Sequence, residues 1–147
     1  MELTNFKLYT RWILLDNEDR VLLVKKNKTR RIAPGRIMCP WWTVELWEKI
    51  EDTLVREFYE ETWVKVEIKN IVWVKNIFLW DTQWLWVYYY IEWDYAGSYN
   101  REPEKHDFAK FYSIEELDEM NLDELEQVER TMAKEAIKVK NNLTFNK

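Results

Sequence analysis

Hydrophobic positions along the chain recur with two different periods, and the switches between them mark out the elements. Apolar and β-branched residues dominate Phe6–Leu15 and Val21–Lys26, and the polar run Asp16-Asn17-Glu18-Asp19-Arg20 separates them. That pattern predicts two strands joined as a hairpin. Asn27–Arg36 follows as a basic loop with Lys28, Arg30, Arg31 and Pro34-Gly35, and Ile37-Met38-Cys39 predicts a short strand. From Glu51 to Thr62 the period changes. At about 100° per residue, Leu54, Val55, Phe58, Tyr59 and Thr62 fill one arc, and Glu57, Glu60 and Glu61 share the neighbouring one. Three β-type runs come next, Val64–Ile68, Ile71–Leu79 and Leu85–Trp93, with Asp81-Thr82-Gln83 as turn chemistry. Val87-Tyr88-Tyr89-Tyr90-Ile91 reads as a buried strand, and Ala109–Tyr112 as a shorter one. Ser113 then N-caps a helix in which Glu116 completes a capping box. Leu122, Leu125, Val128, Met132, Ala136 and Val139, three or four apart, predict a last helix from Leu122 to about Val139. Lys134, Lys138 and Lys140, near its end, suit the helix dipole.

This order of strands and helices places the 147 residues in the α/β (α+β) class, as a single domain spanning 1–147 with a real core. No internal repeat or linker divides it. A hydrophobic content of 47% with 33% charged residues fits a globular chain. The formal charge of −5 argues against a non-specific binder of nucleic-acid duplexes, which carries a basic face. A nucleotide remains open, because its phosphates can be met by a metal and a few local cations. The single Cys39 excludes an internal disulfide and fits a reducing, cytoplasmic setting, where it reads as a structural thiol. No apolar run approaches the ~20 residues of a membrane span, so no membrane partner is expected.

One stretch carries candidate chemistry. Glu57, Glu60 and Glu61 crowd one side of the predicted helix, with Glu48 upstream of it. Like charges at i,i+4 repel by only a few tenths of a kcal/mol, so a Glu-rich helix can simply be a solvated face. As a functional cluster it needs a compensating cation, and hard oxygen ligands of this kind suit Mg²⁺ or Mn²⁺ shared with substrate phosphates. Spacing separates the two readings. Glu48 is followed, after seven residues, by Arg56-Glu57, then Phe58, Tyr59, Glu60-Glu61, Thr62 and the apolar Val64. The run resembles the signature of the Nudix hydrolases: Gly, five residues, Glu, seven residues, Arg-Glu, apolar, any, Glu-Glu, any, Gly, apolar. Every charged position matches, whereas both glycine positions depart, because Trp42 and Trp63 stand there.

That departure has a pattern. The chain holds 10 Trp and only 2 Gly, against a usual Gly content of about 7%. In the family the segment often reads Pro-Gly-Gly and then Gly-Glu; here it is Pro40-Trp41-Trp42 and Trp47-Glu48. Trp41, Trp42, Trp47 and Trp63 thus all occupy glycine positions of one motif. Glycine serves there because it allows φ > 0 and close backbone approach. The pattern is that of UGA codons, which some bacterial lineages read as Gly, translated with a code that reads them as Trp; deliberate replacement is the other origin. TGG codons at 41, 42, 47 and 63 would sink the misreading idea. Trp73, Trp80, Trp84, Trp86 and Trp93 could suggest a base-stacking platform, but the same anomaly accounts for them.

The resemblance implies the Nudix fold, a mixed β-sheet sandwiched between helices, with the signature as a loop–helix–loop. It implies Mg²⁺-dependent (or Mn²⁺-dependent) hydrolysis of a nucleoside diphosphate linked to another moiety. Glu57, Glu60 and Glu61 would hold the metal, with the backbone carbonyl at position 41 as an added ligand. Glu60 or Glu61 would orient or deprotonate water, and Arg56 and Glu48 would pair to hold the loop–helix. Arg30 and Arg31 are candidates for a substrate phosphate. Glu102 and Glu104, in the acidic loop before Ala109, are candidates to approach the metal or the water; His106 reads as a surface residue. The expected substrate is a nucleoside triphosphate, damaged ones included. ADP-ribose or another nucleoside diphosphate sugar is the second candidate, and a nucleotide-sensing module without catalysis is the alternative of another class. A homodimer is compatible with this reading.

Overall fold

The computed structural model describes residues 5–26, 28–29, 35–62, 65–93, 106–121 and 127–145. In chain order these form β1 (Asn5–Leu14), β2 (Val21–Lys26), β3 (Ile37–Met38), β4 (Trp41–Thr43), α1 (Ile50–Thr62), β5 (Val66–Leu79), β6 (Thr82–Trp93), β7 (His106–Tyr112), α2 (Ile114–Glu119) and α3 (Gln127–Phe145). Two sheets result, one of four strands in the order β4-β1-β6-β5 and one of three in the order β3-β2-β7. The larger is mixed: β1 runs parallel to β6 from Asn5↔Thr82 to Leu14↔Ile91, while its other pairings are antiparallel.

Alternation along β1 and β6 decides what covers each face, since successive side chains point to opposite sides of a strand. Trp12, Leu14, Val87, Tyr89 and Ile91 form one core with Leu54 and Phe58 of α1. Ile13, Tyr88 and Tyr90 form the other with Met132, Ala133 and Ala136 of α3. Fully burying Leu54 or Phe58 is worth roughly 1.5–3 kcal/mol each, enough to dock α1 firmly on the sheet. The expected mixed sheet between helices is therefore present, and it fixes the α1 face that carries the acidic cluster.

Several expectations need correction. The first two strands are not a paired hairpin: β1 and β2 belong to different sheets and meet only at the bridge Leu15↔Val21. The turn itself is ordered by Asp16, whose carboxylate accepts from the Arg20 side chain at 2.7 Å and from the Glu18 and Arg20 amides at 2.9 Å. The runs separated at residues 69–70 are one strand, β5, which absorbs two register shifts, between Ile68/Asn70 and Ile71/Trp73. The β5–β6 turn is shorter than expected, with Thr82 and Gln83 already in β6. Tyr59 is exposed rather than packed. α3 runs on to Phe145, so the three lysines do not cap it. Lys134 instead pairs with Asp118, Lys138 with Glu135 and Lys140 with Asp19. The capping box at Ser113 forms in both directions, as the sequence predicts. Leu122 and Leu125 of the expected stripe lie outside the described residues. Among those residues, no helix is long and apolar enough to cross a membrane.

Candidate active site

β4 carries the chain into the signature loop. It pairs antiparallel with β1 (Arg11↔Trp41, Thr10↔Trp42, Tyr9↔Thr43), and the Val44 amide continues the contact by donating to Leu8 O at 2.9 Å. A turn closed by Glu48 N–H to Glu45 O (3.1 Å) then delivers Glu48 to the start of α1. Its carboxylate accepts from the Thr53 hydroxyl at 2.5 Å and from Arg56 Nε and Nη2 at 3.0 and 3.1 Å. The Arg56 hydrogen bonds, and then that of Thr53, hold Glu48 below the usual carboxylate range. Arg56 is in turn held firmly protonated, first by its hydrogen bonds to Glu48. Such a two-pronged tie fixes the loop to the helix in direction as well as distance.

The same guanidinium faces the acidic cluster. Arg56 Nη1 lies 3.2 Å from Glu57 Oε1 and 3.3 Å from Glu60 Oε1. Two carboxylates thus converge on one positive nitrogen, which occupies the place a cation between them would take. The Glu57 side chain is 25% exposed and that of Glu60 53%, so both remain reachable from solvent. These hard oxygen donors fit a Mg²⁺ or Mn²⁺ ion. The set is incomplete among the described residues, where no three acidic, His or Cys side chains are grouped closely enough to hold a metal. The Glu61 side chain, Arg30, Arg31, Glu102, Glu104 and Trp63 lie outside them. The structure therefore brings together Glu48, Arg56, Glu57 and Glu60 of the expected site.

The NUDIX domain profile matches residues 7–136, from within β1 to α3. The chain belongs to the Nudix family. Solved structures agree on the fold. The MutT NUDIX hydrolase from Burkholderia pseudomallei is 18% identical, with a TM-score of 0.73 over 90% of this chain and 98% of its own. A MutT protein from Methanosarcina mazei Go1 is 15% identical, with a TM-score of 0.73 over 93% and 96%. An ADP-ribose pyrophosphatase from Streptococcus suis 89-1591 is 18% identical, with a TM-score of 0.66 over 91% of each chain. No curated protein sequence matches significantly.

Against the Nudix signature the tryptophans divide into kinds. Trp47 has φ +70 and is 98% exposed, and Trp80, in the β5–β6 turn, has φ +53 and is 76% exposed. Both hold a left-handed backbone that favours glycine. Trp41 and Trp42 instead lie in β4 with no positive φ, so the glycine argument there is one of space alone. Trp42 stacks on Trp12 at 5.8 Å, and Trp12, fully buried, meets Phe58 edge-on at 4.8 Å. Among the described residues, the buried indole N–H groups of Trp12 and Trp86 have no hydrogen-bond partner.

Other contributors were not read from the sequence. Thr53 is buried on α1 and holds Glu48; its only sequence signal is its place five residues beyond that Glu. Tyr89 of β6 donates to Glu51 Oε1 at 3.2 Å, pinning the first turn of α1 to the sheet. Beside the signature loop runs an open groove of about 440 Å³ whose walls include Lys7, Tyr9, Thr43, Trp47 and Glu48.

Proposed function

We propose that this Nudix enzyme hydrolyses a nucleoside triphosphate, damaged ones included, to a nucleoside monophosphate and pyrophosphate. The observation that carries the reading is the convergence of Glu57 and Glu60 on a single cationic nitrogen of Arg56. In this reading Glu57, Glu60 and Glu61 hold Mg²⁺ or Mn²⁺, with the carbonyl of residue 41 beside them. A bound divalent ion supplies charge neutralisation for the diphosphate oxygens and acidifies water. Glu60 or Glu61 orients the attacking water or takes its proton, with Glu102 or Glu104 as the alternative acid for that task. With an ion bound, Glu57 and Glu60 would turn from Arg56 to the metal, and Arg56 would keep its two hydrogen bonds to Glu48 that hold the loop–helix in register. Arg30 and Arg31 neutralise substrate phosphate through their guanidinium forks.

The groove beside Glu48 supports a substrate with one nucleoside; a pocket of about 300–1,000 Å³ is the usual size for a small ligand. The fold shared with the protein named ADP-ribose pyrophosphatase keeps a nucleoside diphosphate sugar as the second reading. The test is Mg²⁺-dependent hydrolysis over a panel of nucleoside triphosphates and nucleoside diphosphate sugars. It is run on the protein as written and on a form with Gly at 41, 42, 47 and 63, each with Glu61→Gln. Turnover abolished by Glu61→Gln is the expected result, and the panel then names the substrate class. Nucleotide binding without turnover in either form would replace the proposal with the sensor reading.

A further inference from the structure

The chain passes from the three-stranded sheet to the four-stranded one within two residues, Cys39 and Pro40, between β3 and β4. A backbone that changes sheets leaves its polar groups outside both ladders, and buried ones need another partner. Here Glu129 of α3 provides it. Its Oε2 accepts from the Cys39 amide at 2.8 Å, and its Oε1 lies 2.8 Å from Arg11 Nη2. Arg11, on β1, also donates toward Cys39 O at 3.5 Å and Tyr88 Oη at 3.3 Å, and the Trp12 amide donates to Pro40 O at 3.4 Å. Both charged side chains are almost wholly buried, at 2% and 1% exposure. Such a pair carries a desolvation penalty that well-packed apolar residues would avoid. The rest of the buried α3 face is apolar: Met132, Ala133 and Ala136.

What the pair holds is the crossover itself. Immediately after it, β4 registers Trp41 against Arg11 and leads to the turn that delivers Glu48. We propose that Glu129 and Arg11 are positioning residues for the metal site: from the α3 side of the sheet they fix the Cys39–Pro40 crossover. They thereby set where β4 presents the residue-41 carbonyl and the Glu48 loop to the carboxylates of α1. The inference rests on the metal-binding reading of the signature and adds a group that the signature lacks.

The test reads Mn²⁺ binding alone, without substrate, by the loss of the free-ion electron paramagnetic resonance signal. Three variants are compared with the parent chain: Glu129→Gln, Glu129→Asp and Met132→Ala. Glu129→Gln keeps the side-chain shape and loses the charge that orients Arg11. It should weaken Mn²⁺ binding roughly tenfold, the lower end of what losing an outer support of a ligand costs. It should also shift the amide resonances of Trp41 and Thr43. Met132→Ala removes a buried apolar side chain from the same helix face, so it should lower the Tm while leaving Mn²⁺ affinity unchanged. Glu129→Asp keeps the charge but withdraws it by one methylene; it should bind Mn²⁺ with intermediate affinity, and it carries the test if Glu129→Gln does not fold. Parent-like affinity in the Glu129 variants, or an equal loss in Met132→Ala, overturns the positioning role. A parent chain that binds no Mn²⁺ overturns the metal reading itself, and the inference falls with it.

Discussion

Replacing Trp47 and Trp80 together by Gly should stabilise the protein. Each holds a left-handed backbone, with φ of +70 and +53, which costs a residue bearing a Cβ roughly 1–2 kcal/mol. Glycine removes that strain and returns roughly 0.5–1 kcal/mol of unfolded-state freedom. Little packing is lost, because the two side chains are 98% and 76% exposed. The net gain is roughly 0.5–1 kcal/mol per site, and for the double variant it corresponds to a rise in Tm of roughly 3–6 °C in a domain of this size. Calorimetric or circular-dichroism melts measure it directly. Trp12→Gly is the contrast: its indole is 1% exposed and packed on Phe58 and Trp42, and deleting it should cost roughly 3–5 kcal/mol. A lower Tm for Trp47→Gly/Trp80→Gly would refute the strain argument. A neutral or stabilising Trp12→Gly would mean that the core accepts glycine there too, which favours the misread-codon origin for buried positions as well.

Glu48 and Cys39 give predictions that read the site without substrate. The Glu48 carboxyl titrates below its ordinary value of 4.5 because of Arg56 and then Thr53. Its ties therefore stabilise the fold above that value, and the contribution is lost as pH falls through the lower folded value. Acidification should cost the parent chain more Tm than Arg56→Gln, and parallel curves would sink this account. Burial, and next the charge of Glu129, push the Cys39 thiol well up. Folded protein at about pH 8 should resist iodoacetamide and become labelled in urea, whereas rapid labelling of the native state would contradict the crossover geometry.

Local features proved legible in the sequence. The period of α1, the Ser113 capping box and the buried run Val87–Ile91 each follow from residues close in the chain. The charged spacing from Glu48 to Glu60 also survives, because four of its members sit on one loop–helix and find each other through Arg56. Long-range pairing was not legible. Nothing local to β1 says that its parallel partner is β6, or that β2 leaves for a second sheet. β4 was hidden for a related reason, since three residues with two Trp show no period. Nothing in the sequence singles out Glu129; its burial depends on Arg11 and Cys39, which lie far away in sequence.

The parallel β1–β6 pair also governs how the chain comes to fold. Asn5 meets Thr82, and Arg11 meets Tyr88, 77 residues later. During synthesis the strand at the centre of the larger sheet emerges first and its partner much later. Until then β1 has only β4 beside it and α1 against it, through Trp42 and Phe58 on Trp12, and lacks the strand it pairs with from Asn5 to Leu14. Closing so long a loop before any contact rewards it makes the step slow. A fragment ending before Thr82 would have the helix that bears the acidic cluster and, of the larger sheet's ladders, only the short β4–β1 pair to hold it.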